Sequence, residues 1–238
     1  MNLRLLLAIS SAFLLTVVAL VMSGGSWVSP NSVGHAQDQD PAQASFTCEG
    51  LAARASGLGG NQVSIDTQIE SIDVASLDDA ISKYSVLVVR PNYAQSFRVR
   101  ECSLETWYKL QVTETISSRS YVSPCATCAQ PSSVPAGVPA PSSGEILSSE
   151  VGGRITVNGV SIIQATSIPL LSLSNTYVVF ANLNPTNNVA TIIGGGFMLS
   201  SDGNTLVPLD KTDSPSRIVT EVASRYGNSL SQLRAALN

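Results

Sequence analysis

The sequence predicts a mainly β domain, an antiparallel barrel or sandwich with one short helix before its strands and helices after them. Three observations support this fold class. Apolar runs of strand length recur between residues 85 and 208, and the turn signals Asn158-Gly159 and Asp202-Gly203 separate some of them. Helical patterns occur only at the two ends of this region.

The first predicted elements of the domain follow Ser76. This serine is a helix N-cap with acidic residues behind it, so we expect a short helix from Leu77. Residues 85–89 (SVLVV) are apolar and mostly β-branched, which indicates a buried strand. Residues 107–116 (WYKLQVTETI) alternate apolar and polar side chains, as half-buried strands do.

The second half predicts two hairpins and two helices. Asn158-Gly159 suits a type I′ turn between residues 154–157 and 160–163, because both turn residues accept positive φ. A buried strand at 176–181 (TYVVFA) follows. Asp202-Gly203 separates 196–199 from 205–208, and we interpret Gly194–Gly196 as a glycine bulge. Helices are expected from Ser214-Pro215 to Gly227 and from Ser229, where Leu230, Leu233 and Leu237 share one face.

The N-terminus has the pattern of an export signal. An uncharged, mostly apolar run at residues 5–22 follows Arg4, and Gly34-His35-Ala36 supplies small residues for cleavage; Ala42-Gln43-Ala44 is a second candidate site. An uncleaved membrane anchor is the alternative, because the run is close to the ~18 residues that cross a bilayer. We predict that residues 1–36 are a signal peptide and that the protein is periplasmic, at the cell surface or extracellular. Membrane contact is expected only through this segment.

Composition excludes several kinds of site. His35 is the only histidine, so a chain cleaved after Ala36 has none for metal binding or for Ser-His and Cys-His catalysis. Lys and Arg number 13 against 17 Asp and Glu, and no basic stripe occurs, so no nucleic-acid partner is expected. We expect no cofactor and no metal.

The remaining chain divides by composition. Residues 37–60 are small and polar with no sustained period, and we predict a flexible spacer, apart from the neighbourhood of Cys48. Residues 61–238 are expected to form a single β-rich domain. A Pro/Ser-rich stretch at about 123–149 interrupts it, which indicates a solvent-exposed insertion whose removal leaves the fold intact.

The order of these elements resembles a group of exported bacterial domains. The segments concerned are SLDDAISKY, SVLVV, WYKLQV, Gly152-Gly153, TYVVFA, GGFM and SLSQLRAAL, over residues 76–237. Those domains are built on a small barrel similar to the oligonucleotide/oligosaccharide-binding (OB) and netrin-like folds. The resemblance implies a small antiparallel barrel and brings no catalytic signature.

Cys125-Ala126-Thr127-Cys128 allows several interpretations. A haem site needs His after the second cysteine, where Ala129 stands, and is excluded. A zinc knuckle would need Cys48 and Cys102 as further ligands, and a thioredoxin-like couple would need a helix start that the Pro/Ser-rich surroundings disfavour. An even cysteine count in an exported chain favours disulfides. Of the three pairings, we expect Cys125–Cys128 with Cys48–Cys102.

Three functions remain from different classes. The leading interpretation is a non-catalytic exported binding or interaction module whose ligand is unknown, with a protein or a carbohydrate as the partner. Trp107 and Tyr108 are the candidate binding aromatics, although strand alternation predicts that one is buried and one exposed. An envelope-associated structural protein held by an uncleaved anchor is the second interpretation. Thiol–disulfide exchange through Cys125 and Cys128 is the third.

Overall fold

The computed structural model describes residues 18–21, 26–28, 47–67, 74–122, 133–210 and 215–237. The described chain is mainly β, as predicted, with two sheets and four helices. The strands are β1 Val18–Val21, β2 Ser26–Val28, β3 Gln62–Thr67, β4 Ser85–Arg100, β5 Ser103–Ser117, β6 Glu145–Val151, β7 Gly153–Val157, β8 Val160–Thr166, β9 Thr176–Asn184, β10 Val189–Leu199 and β11 Leu206–Pro208. The helices are α1 Cys48–Gly57, α2 Leu77–Lys83, α3 Arg217–Tyr226 and α4 Leu230–Leu237.

Five strands of the larger sheet pair in a ring, which we call the strand ring. Strand β4 pairs with β5, β5 with β6, β6 with β10, β10 with β9, and β9 again with β4. Strand β11 adds to β10 at the edge. The strand ring therefore consists of the two long strands β4 and β5 and of the shorter strands β6, β10 and β9, which connect β5 back to β4.

The smaller sheet has the strand order β2-β1-β3-β8-β7. Strands β7 and β8 form the predicted hairpin, and Asn158 and Gly159 at its turn have φ of 50° and 81°, as a type I′ turn requires. Strands β1 and β2 fall inside the range 1–36 that the sequence assigned to the leader, and β1 pairs with β3. The candidate cleavage sites at Ala36 and Ala44 lie outside the described residues.

Both sheets are mixed, so the expectation of purely antiparallel pairing is wrong. Strand β3 runs parallel to β8, and β6 runs parallel to β10. Parallel neighbours need a long connection, and the chain between β6 and β10 contains β7, β8 and β9. Hairpin signals in the sequence describe only local antiparallel pairs, which is why these two pairings were not predicted.

The strand ring has a hydrophobic cluster on each face. Successive residues of β4 and β9 belong alternately to one cluster and to the other, because successive side chains of a strand point to opposite faces. One cluster, the ring core, takes residues from all five strands of the ring: Leu87, Val89, Tyr108, Leu110, Ile146, Tyr177, Val179, Ala181 and Ala190, with Leu171 and Leu209 from loops. The opposite face of β4, β9 and β10 packs against α2, α3 and α4.

The predicted caps and bulge of this region are confirmed. Ser76 caps α2 by accepting a hydrogen bond from the Asp79 amide at 3.1 Å, and Gly227 ends α3 in the left-handed region with φ of 55°. The register of β9 and β10 shifts between Ile193 and Phe197, which places a bulge at the three glycines. Leu230 and Leu233 of α4 are buried, as the leucine stripe predicted.

Residues 48–57 form helix α1, so the predicted flexible spacer does not extend over the whole of residues 37–60. Helix α1 is capped by Thr47, and it packs Leu51, Ala52 and Ala55 against strands of the smaller sheet. Small residues such as alanine give a weak apolar pattern, although they allow a helix to approach a sheet closely. That weak pattern explains why composition alone indicated a spacer.

The predicted insertion at 123–149 is wrong at its C-terminal side. Strand β6 begins at Glu145 and pairs with both β5 and β10, so it is a central element of the strand ring. Residues 133–144 are mostly exposed, yet Val138 packs beside Trp107 and the Gly137 carbonyl accepts a hydrogen bond from the Tyr93 hydroxyl at 3.4 Å. A deletion extending past residue 144 would therefore remove a strand.

Candidate functional site

The two candidate aromatics, Trp107 and Tyr108, are both fully buried, with 0% of each residue exposed. The prediction that one of them is exposed is therefore wrong. Tyr108 lies in the ring core, whereas Trp107 packs on the opposite face of β5 against Leu147, Val189 and the segment around Val138. Strand β5 is covered on both faces at this point, so neither ring is available for stacking on a ligand.

The structure contains the Cys48–Cys102 disulfide that the sequence favoured. It joins the first residue of α1 to the turn between β4 and β5, and both cysteines are buried. Cys125 and Cys128 lie outside the described residues, so the proposed bridge between them stays a prediction.

A cleft of about 600 Å³ lies between the strand ring and the smaller sheet. One wall comes from β4 and β5, with Gln95, Ser96, Thr106 and Tyr108. The facing wall comes from the β7–β8 hairpin and includes Arg154, Ile163 and Ala165. Residues 168–171 form a further part of the lining. A volume of this size is in the range of small-molecule binding sites.

A sharp bend between β6 and β7 positions the hairpin wall. Gly152 and Gly153 have φ of 110° and 141°, values that favour glycine. A side chain on Gly153 would overlap the hydroxyls of Ser96 and Thr106. Gly153 therefore allows the chain to leave the strand ring while the hairpin remains against β4 and β5.

Hydrogen bonds hold this bend in place. The Arg154 amide donates to the Ser96 hydroxyl at 3.0 Å, and the Thr106 hydroxyl donates to the Gly152 carbonyl at 2.8 Å. The two hydroxyls are themselves 2.9 Å apart and hydrogen-bonded. These bonds fix the two walls of the cleft relative to each other.

The segment of residues 168–174, which we call the cleft loop, is attached to the ring core by two tyrosines. The Leu171 amide donates to the Tyr108 hydroxyl at 3.1 Å, and the Ser172 amide donates to the Tyr177 hydroxyl at 2.7 Å. The Leu171 side chain is 5% exposed and packs in the ring core. The cleft loop is therefore both a lining of the cleft and a cover of the ring core.

Glu150 of β6 lies directly behind this lining. It pairs in register with Thr106, and its neighbour on the same face, Ser148, pairs with Tyr108. Glu150 Oε2 and the Ser148 hydroxyl are buried and have no hydrogen-bond partner among the described residues. Buried polar atoms without partners are rare in proteins, and each one calls for an explanation, such as a catalytic role or a bound group.

Burial raises the pKa of Glu150 to about 7, although the nearby polar groups of Tyr108 and of the Leu171 backbone act in the opposite direction. The pKa of the Tyr108 hydroxyl is also raised, first by burial and second by the adjacent Glu150 carboxyl. Desolvation favours the neutral form of each acid. A carboxyl with a perturbed pKa behind a cleft marks this region as the best candidate for a functional site.

Sequence reasoning missed the residues that define this site. The sequence predicts Arg154 only as part of a hairpin strand, and it gives no role to Glu150, just after the predicted insertion, or to the cleft loop. The alternation of Ile146, Ser148 and Glu150 on one face of β6 was the available signal. It is weak because two of the three side chains are polar.

No protein-family model, curated protein or solved structure matches this chain. Within the described ranges, no three His, Cys, Asp or Glu side chains form a group that could hold a metal ion. None of the described helices has the length and apolar character needed to cross a membrane.

Proposed function

We propose that this protein is a non-catalytic exported binding module whose ligand site is the cleft between the strand ring and the β7–β8 hairpin. The observation that carries this proposal is the cleft itself, with a volume of about 600 Å³ and two walls fixed by hydrogen bonds. Small-molecule sites are typically preformed clefts of about 300–1,000 Å³. The ligand is therefore a small molecule or the end group of a larger one, such as a protein or a carbohydrate.

The scaffold of this module is a small barrel of the OB type. Support comes from the ring of five strand pairings and from the hydrophobic cluster to which all five strands contribute. A five-stranded Greek-key barrel is the OB architecture, and barrels of this type commonly bind oligonucleotides and oligosaccharides. The order of the ring also supports this proposal, because β10, the last of its five strands along the chain, lies between β6 and β9, as a late strand returns beside an earlier one in a Greek key.

Export is the second part of the proposal. It is supported by the leader pattern of residues 1–36 and by the Cys48–Cys102 disulfide, since structural disulfides persist in oxidising compartments. Cleavage after Ala36 would remove β1 and β2 and leave one edge of β3 unpaired. N-terminal sequencing of the protein from a cell-envelope or culture fraction tests this part, and an intact Met1 would overturn cleavage.

A neutral fluorescent probe tests the cleft as a binding site. N-phenyl-1-naphthylamine is uncharged at neutral pH, and its emission increases in apolar surroundings, so saturable binding can be titrated. Ala165→Trp would fill the cleft, because Ala165 lines it and is exposed. Ala223→Trp adds the same bulk at an exposed position of α3 and is the matched control.

We expect one saturable site that Ala165→Trp removes and Ala223→Trp leaves unchanged. Circular dichroism of both variants establishes that each is folded. Probe binding that is equally strong in folded Ala165→Trp would overturn the cleft as the ligand site.

A further inference from the structure

We propose that the ligand of the cleft is an amphipathic organic anion, whose acid group binds the Arg154 guanidinium while its apolar body lies along β8 and the cleft loop. This inference rests on the proposed function, because it names the chemical class of ligand for the same cleft. It follows from which groups in the cleft are already bonded and which are free.

Most polar side chains of the cleft are engaged with the protein itself. Ser96 and Thr106 bond each other and the bend at Gly152, and the Tyr108 hydroxyl accepts from the Leu171 amide. The Thr166 hydroxyl donates to the Ile168 carbonyl at 2.6 Å. A ligand gains little from a hydroxyl whose bond it must first replace. These groups shape the cleft, and they offer few free donors to a neutral polar ligand.

Gln164 is engaged through both its amide oxygen and its amide nitrogen, whereas the exposed Gln95 is engaged through its oxygen alone. The Gln95 amide oxygen accepts from the Tyr93 hydroxyl at 2.6 Å. Gln164 accepts from the Leu104 amide at 2.6 Å and donates to the Thr67 hydroxyl at 2.9 Å. A polyhydroxylated ligand would have to compete with these bonds, and the Gln95 amide nitrogen is the one neutral donor of the two glutamines without a partner among the described residues.

Arg154 is different from the other polar lining residues. Its backbone amide is bonded to Ser96, but its guanidinium makes no hydrogen bond or ion pair with any described residue. Arg154 is exposed and pairs in register with Ile163, so the free cation lies at the rim beside an apolar side chain. A guanidinium binds a carboxylate or phosphate through two parallel hydrogen bonds, which gives both affinity and orientation.

The wall next to Arg154 is apolar. Ile163 and Ala165 of β8 continue into Ile168, Pro169, Leu170 and Leu171 of the cleft loop. No charged side chain other than Arg154 lines the cleft among the described residues. A ligand with one acid group and a hydrocarbon body matches this arrangement, because its body covers apolar surface while its charge meets the one cation.

Three probes separate the two halves of this recognition. Decanoate has both the acid group and the apolar body, 1-decanol has the body alone, and acetate has the acid group alone. Each is titrated as a competitor of N-phenyl-1-naphthylamine in the wild-type protein, in Arg154→Gln and in Arg100→Gln. Arg100 is exposed, carries the same charge and does not line the cleft, so Arg100→Gln is the matched control.

We expect decanoate to compete at least about tenfold better than decanol, because only decanoate has a charged group that forms hydrogen bonds with the Arg154 guanidinium. Arg154→Gln should abolish this preference and leave competition by decanol unchanged. Arg100→Gln should behave as wild type, and acetate should compete weakly in all three proteins.

Several outcomes would overturn the inference. Equal competition by decanol and decanoate in the wild type would show that the cleft has no preference for an anion, and so would undiminished decanoate binding by Arg154→Gln. Acetate as effective as decanoate would show that the apolar wall takes no part. In each of these cases the proposed function would still be supported if the wild type binds the probe and Ala165→Trp does not. If the wild type does not bind the probe, both the proposed function and this inference are overturned.

Discussion

The Tyr108 hydroxyl lies 3.1 Å from the Leu171 amide and accepts its hydrogen bond, although the two residues are 63 positions apart in the chain. Tyr108 belongs to the middle of β5, and Leu171 belongs to the cleft loop. A buried amide needs an acceptor, and the loop provides none for Leu171 from its own backbone. This one bond therefore connects the ring core to the lining of the cleft.

Replacement of Tyr108 by Phe should remove this acceptor while the ring still fills the core. The Leu171 amide would then be buried without a partner, which costs about 1–3 kcal/mol. We expect that loss in the free energy of unfolding measured with urea, together with faster hydrogen exchange of the Leu171 amide. Tyr93→Phe is the control, because the Tyr93 hydroxyl is exposed and bonds Gln95. Equal effects of the two substitutions would contradict the role given to Tyr108.

Glu150 predicts a dependence of stability on pH. Its pKa rises from 4.5 to about 7 in the folded protein, mainly because the carboxyl is buried. A raised pKa means that the folded state holds the proton more tightly than the unfolded state. The contribution of Glu150 to the free energy of unfolding is therefore fully present below about pH 4.5, and it is lost as the pH rises through about 7.

Glu150→Gln should remove this loss, because the amide stays neutral at every pH. We expect the variant to gain stability relative to wild type between pH 5 and 8, by up to about 3 kcal/mol for a pKa change from 4.5 to about 7. Urea unfolding at several pH values measures the difference. Glu101→Gln, at an exposed turn residue, should show no such trend. A difference between Glu150→Gln and wild type that stays constant with pH would refute the assignment.

The surroundings of Gly153 predict that a single added methyl group destabilises the fold strongly. Ala at this position would overlap the Ser96 and Thr106 hydroxyls and would have to adopt a φ near 141°. We expect Gly153→Ala to destabilise the fold by about 3 kcal/mol, from steric overlap and backbone strain together. Gly159→Ala is the control, since φ is 81° there but no atom lies within 4 Å of the added carbon. A cost near 1 kcal/mol for both variants would show that φ alone matters.

The sequence predicted elements that are determined by local signals. The Ser76 cap, the Asn158-Gly159 turn and the Gly227 helix end each depend on a few adjacent residues, and each is found in the structure. Strand β6 and helix α1 depend on partners that are distant in the chain. Serine and glutamate in β6, and alanine in α1, give little periodic hydrophobicity, so tertiary contacts rather than local preference decide their structure.

The candidate site was beyond prediction for the same reason. Arg154, Glu150 and the cleft loop come together only through the bend at Gly153 and the hydrogen bond between Tyr108 and Leu171. Nothing in their spacing along the chain indicates that they are neighbours. The Cys48–Cys102 pair was predictable because four cysteines allow only three sets of pairings.

The Cys48–Cys102 disulfide should contribute strongly to stability. It closes a loop with a sequence separation of 54 residues, for which the chain-entropy relation gives about 4 kcal/mol. We expect Cys48→Ser/Cys102→Ser to lose most of this free energy of unfolding. Hydrogen exchange should show α1 opening first, because the bond ties Cys48 at its first residue to the turn after β4. A double variant as stable as wild type would contradict this prediction.

Cys125→Ser/Cys128→Ser should behave differently. A bridge between residues three positions apart restricts the unfolded chain little, so its removal should cost far less than removal of the 54-residue link. The pair is also expected to have no turnover function. Catalytic cysteine pairs need a stabilised thiolate, and the sequence supplies no cation between Arg119 and Arg154.

Insulin reduction by dithiothreitol measures that expectation directly. Purified wild type, Cys125→Ser/Cys128→Ser and buffer alone should give the same rate of insulin precipitation. Mass spectrometry of the non-reduced wild type should show both bridges formed, since a pair that only stabilises structure is oxidised once and stays oxidised. An acceleration by wild type that disappears in Cys125→Ser/Cys128→Ser would establish thiol–disulfide exchange. The non-catalytic module proposed above would then be wrong, whatever the cleft binds.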